Sequence, residues 1–123
     1  MARILIIDDE AAVRRPVRKM LETQGHQVED VGNGLVGIAL HAAIPFDAII
    51  TDLHMPACDG IDVIRNVRRT GDRVGIILLS GQDECDSRSL AEEFGAVWIL
   101  SKPFTVELLQ NLVQEVASQS RRP

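Results

Sequence analysis

The stretch Arg3-Ile4-Leu5-Ile6-Ile7-Asp8-Asp9 decides the fold. An apolar run of this length, with no polar residue alternating through it, is a strand covered on both faces, and here it stops abruptly at two acids. Beyond it, Val13, Val17, Met20 and Leu21 recur at helical spacing, with Arg14, Arg15, Arg18 and Lys19 on the opposite, solvated face. Gly25 is placed to end that helix in a left-handed conformation. Pro16 removes a backbone donor early in the helix, so a small kink or a late start is expected.

The same alternation of strand and helix continues along the chain. Gln27 to Val31 alternates like an edge strand, and Asn33-Gly34 leads into a short apolar helix through Leu35, Ile38, Ala39 and Ala42, with Pro45 just past its end. Asp47-Ala48-Ile49-Ile50-Thr51 is the next buried strand, again ending in an acid, Asp52. A loop with Pro56 and Asp59-Gly60 precedes a helix anchored by Ile64 and Val67 and closed at Gly71. Val74 to Leu79 is a fourth strand ending at Ser80-Gly81, and the helix after it, from Asp83 to Phe94, has only Leu90, Ala91 and Phe94 to dock with. Val97 to Leu100 is a fifth strand, followed by Lys102-Pro103. Thr105 caps a last helix whose stripe is Leu109, Leu112, Val113 and Val116, with Phe104 packing on Leu109 as a hydrophobic staple. Strands separated by helices of this length predict an α/β fold, a parallel sheet with right-handed crossovers. One domain over residues 1–118 is expected, with a polar tail at 119–123 that frays.

Apolar residues make up 46% of the chain but aromatic ones only 3%, so the core must be built from Val, Ile, Leu and Ala. A net charge of -5 argues against unaided binding of nucleic acid, which needs a basic face. Cys58 and Cys85 have neither disulfide spacing nor companions for a metal site, no leader precedes the first strand, and no run reaches membrane-span length; a cytoplasmic protein with free thiols is expected. His26 and His41 have no partner in the pattern and are expected at the surface.

Polar residues stand at the exits of four strands: Asp8 and Asp9, Asp52, Ser80, and Lys102. In an open parallel sheet the carboxyl ends of the strands form the ligand crevice, so these residues converge there. Taken singly each has a plainer reading: Asp9 as a helix cap, Ser80 as a turn residue, Lys102 as surface. Together, three carboxylates repel one another unless a cation joins them. An all-oxygen donor set suits Mg2+, above all where phosphate is handled. With Lys102 and a divalent ion the three Asp are neutralised, and a phosphoryl group on Asp52 adds about one further negative charge. Asp52, alone on its strand, is the best nucleophile, since a carboxylate can hold phosphorus as an acyl phosphate. Ser80 and Lys102 can each donate to phosphate oxygens.

Ile6-Ile7-Asp8-Asp9-Glu10, Asp52-Leu53-His54-Met55-Pro56 with Asp59-Gly60, Leu79-Ser80-Gly81 and Lys102-Pro103-Phe104 together resemble the receiver domain of two-component response regulators, in order and spacing and over nearly the whole chain. The resemblance implies a flavodoxin-like three-layer sandwich, a five-stranded parallel sheet of order 2-1-3-4-5 with five helices. It implies that Asp52 is the phosphoacceptor, with a sensor histidine kinase or phosphotransfer protein as donor. It implies Mg2+ held by Asp9, Asp52 and the His54 backbone carbonyl, with Asp8 acting mainly through water. Lys102 would pair with the phosphate beside a cis bond to Pro103, and Ser80 would move toward it. The fourth helix, fifth strand and fifth helix would then meet a downstream protein target, with no direct contact to nucleic acid or membrane.

One position departs from the family. Where an aromatic commonly swings inward on activation the chain has Ile99, beside Trp98, so a muted rearrangement of strand five is expected. His54 is expected at the pocket mouth with Gln82, where it affects access of water or donor. Two alternatives are a degenerate receiver used as a docking module, against which Asp9, Asp52 and Lys102 argue, and a Mg2+-dependent phosphohydrolase with an Asp nucleophile. The second usually has another Asp two residues after the nucleophile, where this chain has His54. A receiver catalyses only its own phosphorylation and slow dephosphorylation, so no turnover enzyme is expected.

Overall fold

The computed structural model describes residues 2–81 and 87–120. Its strands are β1 (Arg3–Ile7), β2 (Gln27–Val31), β3 (Ala48–Asp52), β4 (Gly75–Ser80) and β5 (Val97–Ser101). Its helices are α1 (Ala11–Thr23), α2 (Gly34–Ala43), α3 (Gly60–Arg69), α4 (Ser87–Phe94) and α5 (Val106–Ser120). The strands pair in parallel in the order β2-β1-β3-β4-β5, as the resemblance implied.

Because β1, β3 and β4 are covered on both faces, their side chains divide between two cores. Ile4, Ile6, Ile50, Ile77 and Leu79 pack with Leu21 of α1 and with Leu109, Val113 and Val116 of α5. Leu5, Ile7, Ile49, Ile76 and Leu78 pack with Val63, Ile64 and Val67 of α3 and with Leu90 and Phe94 of α4. Burial of each such Ile or Leu contributes about 1.5–3 kcal/mol, which is why continuous branched runs rather than alternating ones build this sheet. Phe104 and Leu109 share one cluster across the Thr105 cap, whose hydroxyl accepts from the Leu108 N–H at 3.1 Å.

Several expectations are corrected. Pro16 does not delay α1, which begins at Ala11. In the apolar helix α2, Ile38 packs on the core, Leu35, Ala39 and Ala42 are exposed, and Gly34, Gly37 and His41 face inward. Missing side chains let the helix backbone approach: a Cβ on Gly37 would overlap Ile7, and one on Gly34 would lie 2.7 Å from Cys58 Sγ. His41 is buried, not at the surface. The Phe46 N–H donates to its Nδ1 at 3.1 Å, so the proton sits on Nε2, which donates to Asp72 at 2.7 Å. His26 is half-buried, accepts from the Ala2 N–H at 3.2 Å, and has its pKa lowered by burial. Arg14 and Arg18 are not simply solvated; both reach across to Asp30 on β2. The helix α5 runs as far as Ser120. The first part of the expected fourth helix, with Gln82 and Cys85, lies outside the described residues, as do 121–123.

The turn from β3 into α3 is built around Gly60. Asp59 caps α3 reciprocally with Asp62: its carboxylate accepts from the Asp62 N–H at 2.8 Å and its own N–H donates to Asp62 at 3.1 Å. Gly60 then lies so close to the preceding strand that a Cβ there would sit 2.6 Å from the Asp52 carbonyl oxygen and 3.0 Å from Leu53 Cα. Those are backbone atoms and cannot swing away. Gly60→Ala is therefore expected to lower stability by about 2 kcal/mol or more, read as a shift of the urea midpoint at unchanged slope.

Candidate functional site

The carboxyl ends of β1, β3, β4 and β5 bring the expected residues together. Asp8 follows β1 and is 1% exposed; Asp52 ends β3 at 5%; Ser80 ends β4 at 2%. Lys102 follows β5, and its ammonium donates to Asp52 Oδ1 at 2.7 Å. Its backbone N–H also donates to the Ser80 carbonyl at 2.7 Å, which ties the β5 exit to the β4 exit. The peptide bond from Lys102 to Pro103 is cis, as the resemblance implied.

Asp9 and Glu10 are exposed beside this group, and one carboxylate oxygen from each of Asp8, Asp9 and Glu10 falls within 4.8 Å of the others. Asp9 does not cap α1. The cap residue is Glu10, and its N–H donates to Asp8 Oδ1 at 2.9 Å. Glu10 as a third acid of the cluster was missed in the sequence, although the run Asp8-Asp9-Glu10 was the signal for it.

Electrostatics at Asp8 are unfavourable. Burial pushes its pKa up, and the neighbouring Asp52 and Asp9 charges push the same way; the Glu10 N–H and the Lys102 ammonium oppose this without reversing it. Its second oxygen, Oδ2, is buried with no hydrogen-bond partner. Burial alone would favour the neutral amine of Lys102, but the hydrogen bond to Asp52 and the negative charges of Asp52, Asp8 and Glu10 together outweigh it and raise the pKa. An orphaned carboxylate oxygen in a cluster of oxygen donors fits a hard divalent cation, which would supply the missing partner.

His54 is exposed and, with Met55, Pro56 and Asp59, lines a cleft of about 370 Å³ just past the end of β3. Gln82, expected beside it, lies outside the described residues. Ile99 pairs in register with Leu78 and packs on the α3–α4 side, whereas Trp98 packs on the α1–α5 side. Among the described residues no helix is long and apolar enough to cross a membrane.

Comparison with known proteins agrees with this geometry. The family described as response regulator receiver domain matches residues 4–114. The response regulator MprA of Mycobacterium avium is 37% identical over 107 residues, covering 87% of this chain and 47% of the relative. The chain thus spans about half the length of the curated relatives it matches. Among solved structures, the chemotaxis protein CheY4 of Vibrio cholerae aligns with a TM-score of 0.85 at 30% identity, over 94% of this chain and 98% of that one. The receiver domain of the sensor histidine kinase PA1611 from Pseudomonas aeruginosa, with a magnesium ion coordinated in its active site cleft, aligns at 0.82 and 28% identity, over 95% and 98%.

The strain at Asp8 has a measurable sign. A carboxyl whose folded pKa is raised stabilises the fold when protonated, and that stability is lost as pH rises through the folded value. Asp8→Asn removes the buried charge and keeps an acceptor for the Glu10 N–H. Without added metal it is expected to raise stability at pH 7 by about 1 kcal/mol. The gain should fade as pH falls through the raised folded pKa of Asp8 and be gone below about pH 3.9, the ordinary carboxylate value in the unfolded chain. Thermal melts across that pH range check this.

Proposed function

The chain belongs to the response regulator receiver domain family, and on that premise we propose that Asp52 accepts a phosphoryl group from the phosphohistidine of a sensor histidine kinase or phosphotransfer protein, in a reaction that needs Mg2+. The observation that carries this reading is the Lys102 ammonium at 2.7 Å from Asp52, opposite a buried Asp8 oxygen with no partner. The carboxylate of Asp52 attacks phosphorus; the new O–P bond forms as the N–P bond breaks, and the leaving imidazole takes a proton from solvent. Lys102 then transfers its hydrogen bond to a phosphoryl oxygen, and the Ser80 hydroxyl donates to another. Asp8, Asp9, Asp52 and the His54 carbonyl would hold the ion, which neutralises charge on the phosphoryl oxygens.

The Lys102 N–H bonded to the Ser80 carbonyl gives this event a route outward, because β4 and β5 exit together. We infer that α4, β5 and α5 form the surface read by a downstream protein, and that residues 1–118 act as the switching unit, in the cytoplasm and without direct nucleic-acid contact. Ile99, already packed against the core, leaves strand five little to rearrange. The chain acts on itself and turns over no separate substrate. Glu10 offers a further carboxylate, directly or through water.

Beryllofluoride with Mg2+ mimics the acyl phosphate and tests the assignment. Wild type should show a metal-dependent rise in melting temperature and shifted amide resonances, and Asp52→Ala should show neither. A response that survives in Asp52→Ala places the acceptor elsewhere. His54 borders the cleft, so His54→Ala is expected to change the lifetime of the phosphorylated form several-fold, measured by its decay after the donor is removed; an unchanged decay rate removes His54 from the role.

A further inference from the structure

Three of the four polar atoms of Asp8 are held. Its N–H donates to the Val31 carbonyl at 3.1 Å, and its Oδ1 accepts from the Glu10 N–H at 2.9 Å. Its carbonyl accepts from Arg14 Nη1 at 3.1 Å. Only Oδ2, buried and unpartnered, remains. Arg14 is itself fixed. Its Nε donates to Asp30 Oδ2 at 2.6 Å, and the other oxygen of Asp30 accepts from Arg18 Nη1 at 2.6 Å. The side chains of Arg14 and Asp30 are only 16% and 10% exposed, so this clasp is shielded from solvent far more than an ordinary surface pair.

One guanidinium thus ties three elements at a single point: α1, which carries it; the end of β2, through Asp30; and the exit of β1, through the Asp8 carbonyl. Only an Arg can do this, because its planar fork donates to a carboxylate and a carbonyl at once, whereas an ammonium acts as one point charge. We propose that Arg14, anchored by Asp30, is a positioning residue for the acidic site: by fixing the Asp8 carbonyl it sets the direction in which Asp8 Oδ2 is presented to a divalent cation. This rests on Asp8 serving that cation, and it assigns a task to two residues outside the acidic cluster.

The alternative role for Arg14 is electrostatic, and the two roles differ in sign. A cationic side chain near the site repels a divalent ion, so its removal should tighten binding if charge were what mattered. The charges that act on the Asp8 carboxyl come from Asp52, Lys102 and Asp9, while the Arg14 guanidinium is ion-paired with Asp30, which it shares with Arg18. If Arg14 positions, its removal weakens binding despite the lost repulsion.

The test is calorimetric titration of the full chain with magnesium chloride alone, well below each variant's melting midpoint. Arg14→Gln is expected to raise the Mg2+ dissociation constant about tenfold, the lower end of what outer-shell partners contribute. Asp30→Asn should weaken binding similarly, and the double variant should be no weaker than the worse single one, because both break the same clasp. Should Arg14→Gln fold poorly, Arg14→Lys preserves the charge but not the fork, and it too should bind Mg2+ several-fold more weakly. Unchanged or tighter Mg2+ binding in a folded Arg14 variant overturns the proposal while wild-type binding leaves the site's own reading intact. Wild type that binds no Mg2+ overturns both.

Discussion

Two buried carboxylates, Asp8 and Asp52, stand at the ends of neighbouring strands and share one ammonium, Lys102. Nothing else at this edge of the sheet has so direct a claim on the arrangement around it. Burial removes the water that would solvate these charges, and only one of the two carboxylates has the close ion pair. The consequence falls on Asp8, which is pushed toward its neutral form and left with an oxygen that has no hydrogen-bond partner among the described residues. A protein selected for stability alone would place an apolar or amide side chain there. The fold instead keeps a strained acidic pocket, as is usual where a site must receive charge rather than merely tolerate it.

The architecture makes this convergence unavoidable. Parallel strands all exit on one edge, and helical crossovers return the chain to the other edge between them, so residues 8, 52, 80 and 102 meet although distant in sequence. Helices on both faces keep the strand ends from fraying and so keep the carboxylates in register. Close packing of backbone does the finer positioning: Gly60 lies against the Asp52 carbonyl, and the Lys102 N–H holds the Ser80 carbonyl. The site is therefore coupled to both of its neighbouring exits by main-chain contacts, which transmit a shift more directly than exposed side chains do.

The elements that were legible in the sequence are those whose signal is local. Every strand lay where a branched apolar run or an alternating stretch placed it, and the strand-end acids followed at once. What escaped depends on residues far apart. The apolar helix α2 has no polar face to mark its outside, so Leu35, Ile38, Ala39 and Ala42 did not tell its inner face from its outer one, and close approach selected Gly34, Gly37 and His41. His41 is satisfied by Asp72, thirty-one positions later, a partner no spacing rule offers. Arg14 and Arg18 resembled a solvated face because Asp30 enters their surroundings only once β2 is laid beside β1. Glu10 was visible as a charge, but its approach to Asp8 and Asp9 depends on how α1 begins.

The central claim is chemical: phosphorus bonds to one particular carboxylate. Phosphorylation with acetyl phosphate and Mg2+, followed by borohydride reduction of the acyl phosphate and peptide mass spectrometry, reads that bond directly. The account predicts a reduced residue at position 52 alone, absent when the metal is chelated. Reduction at Asp8, Asp9 or another carboxylate, or at position 52 regardless of metal, contradicts it.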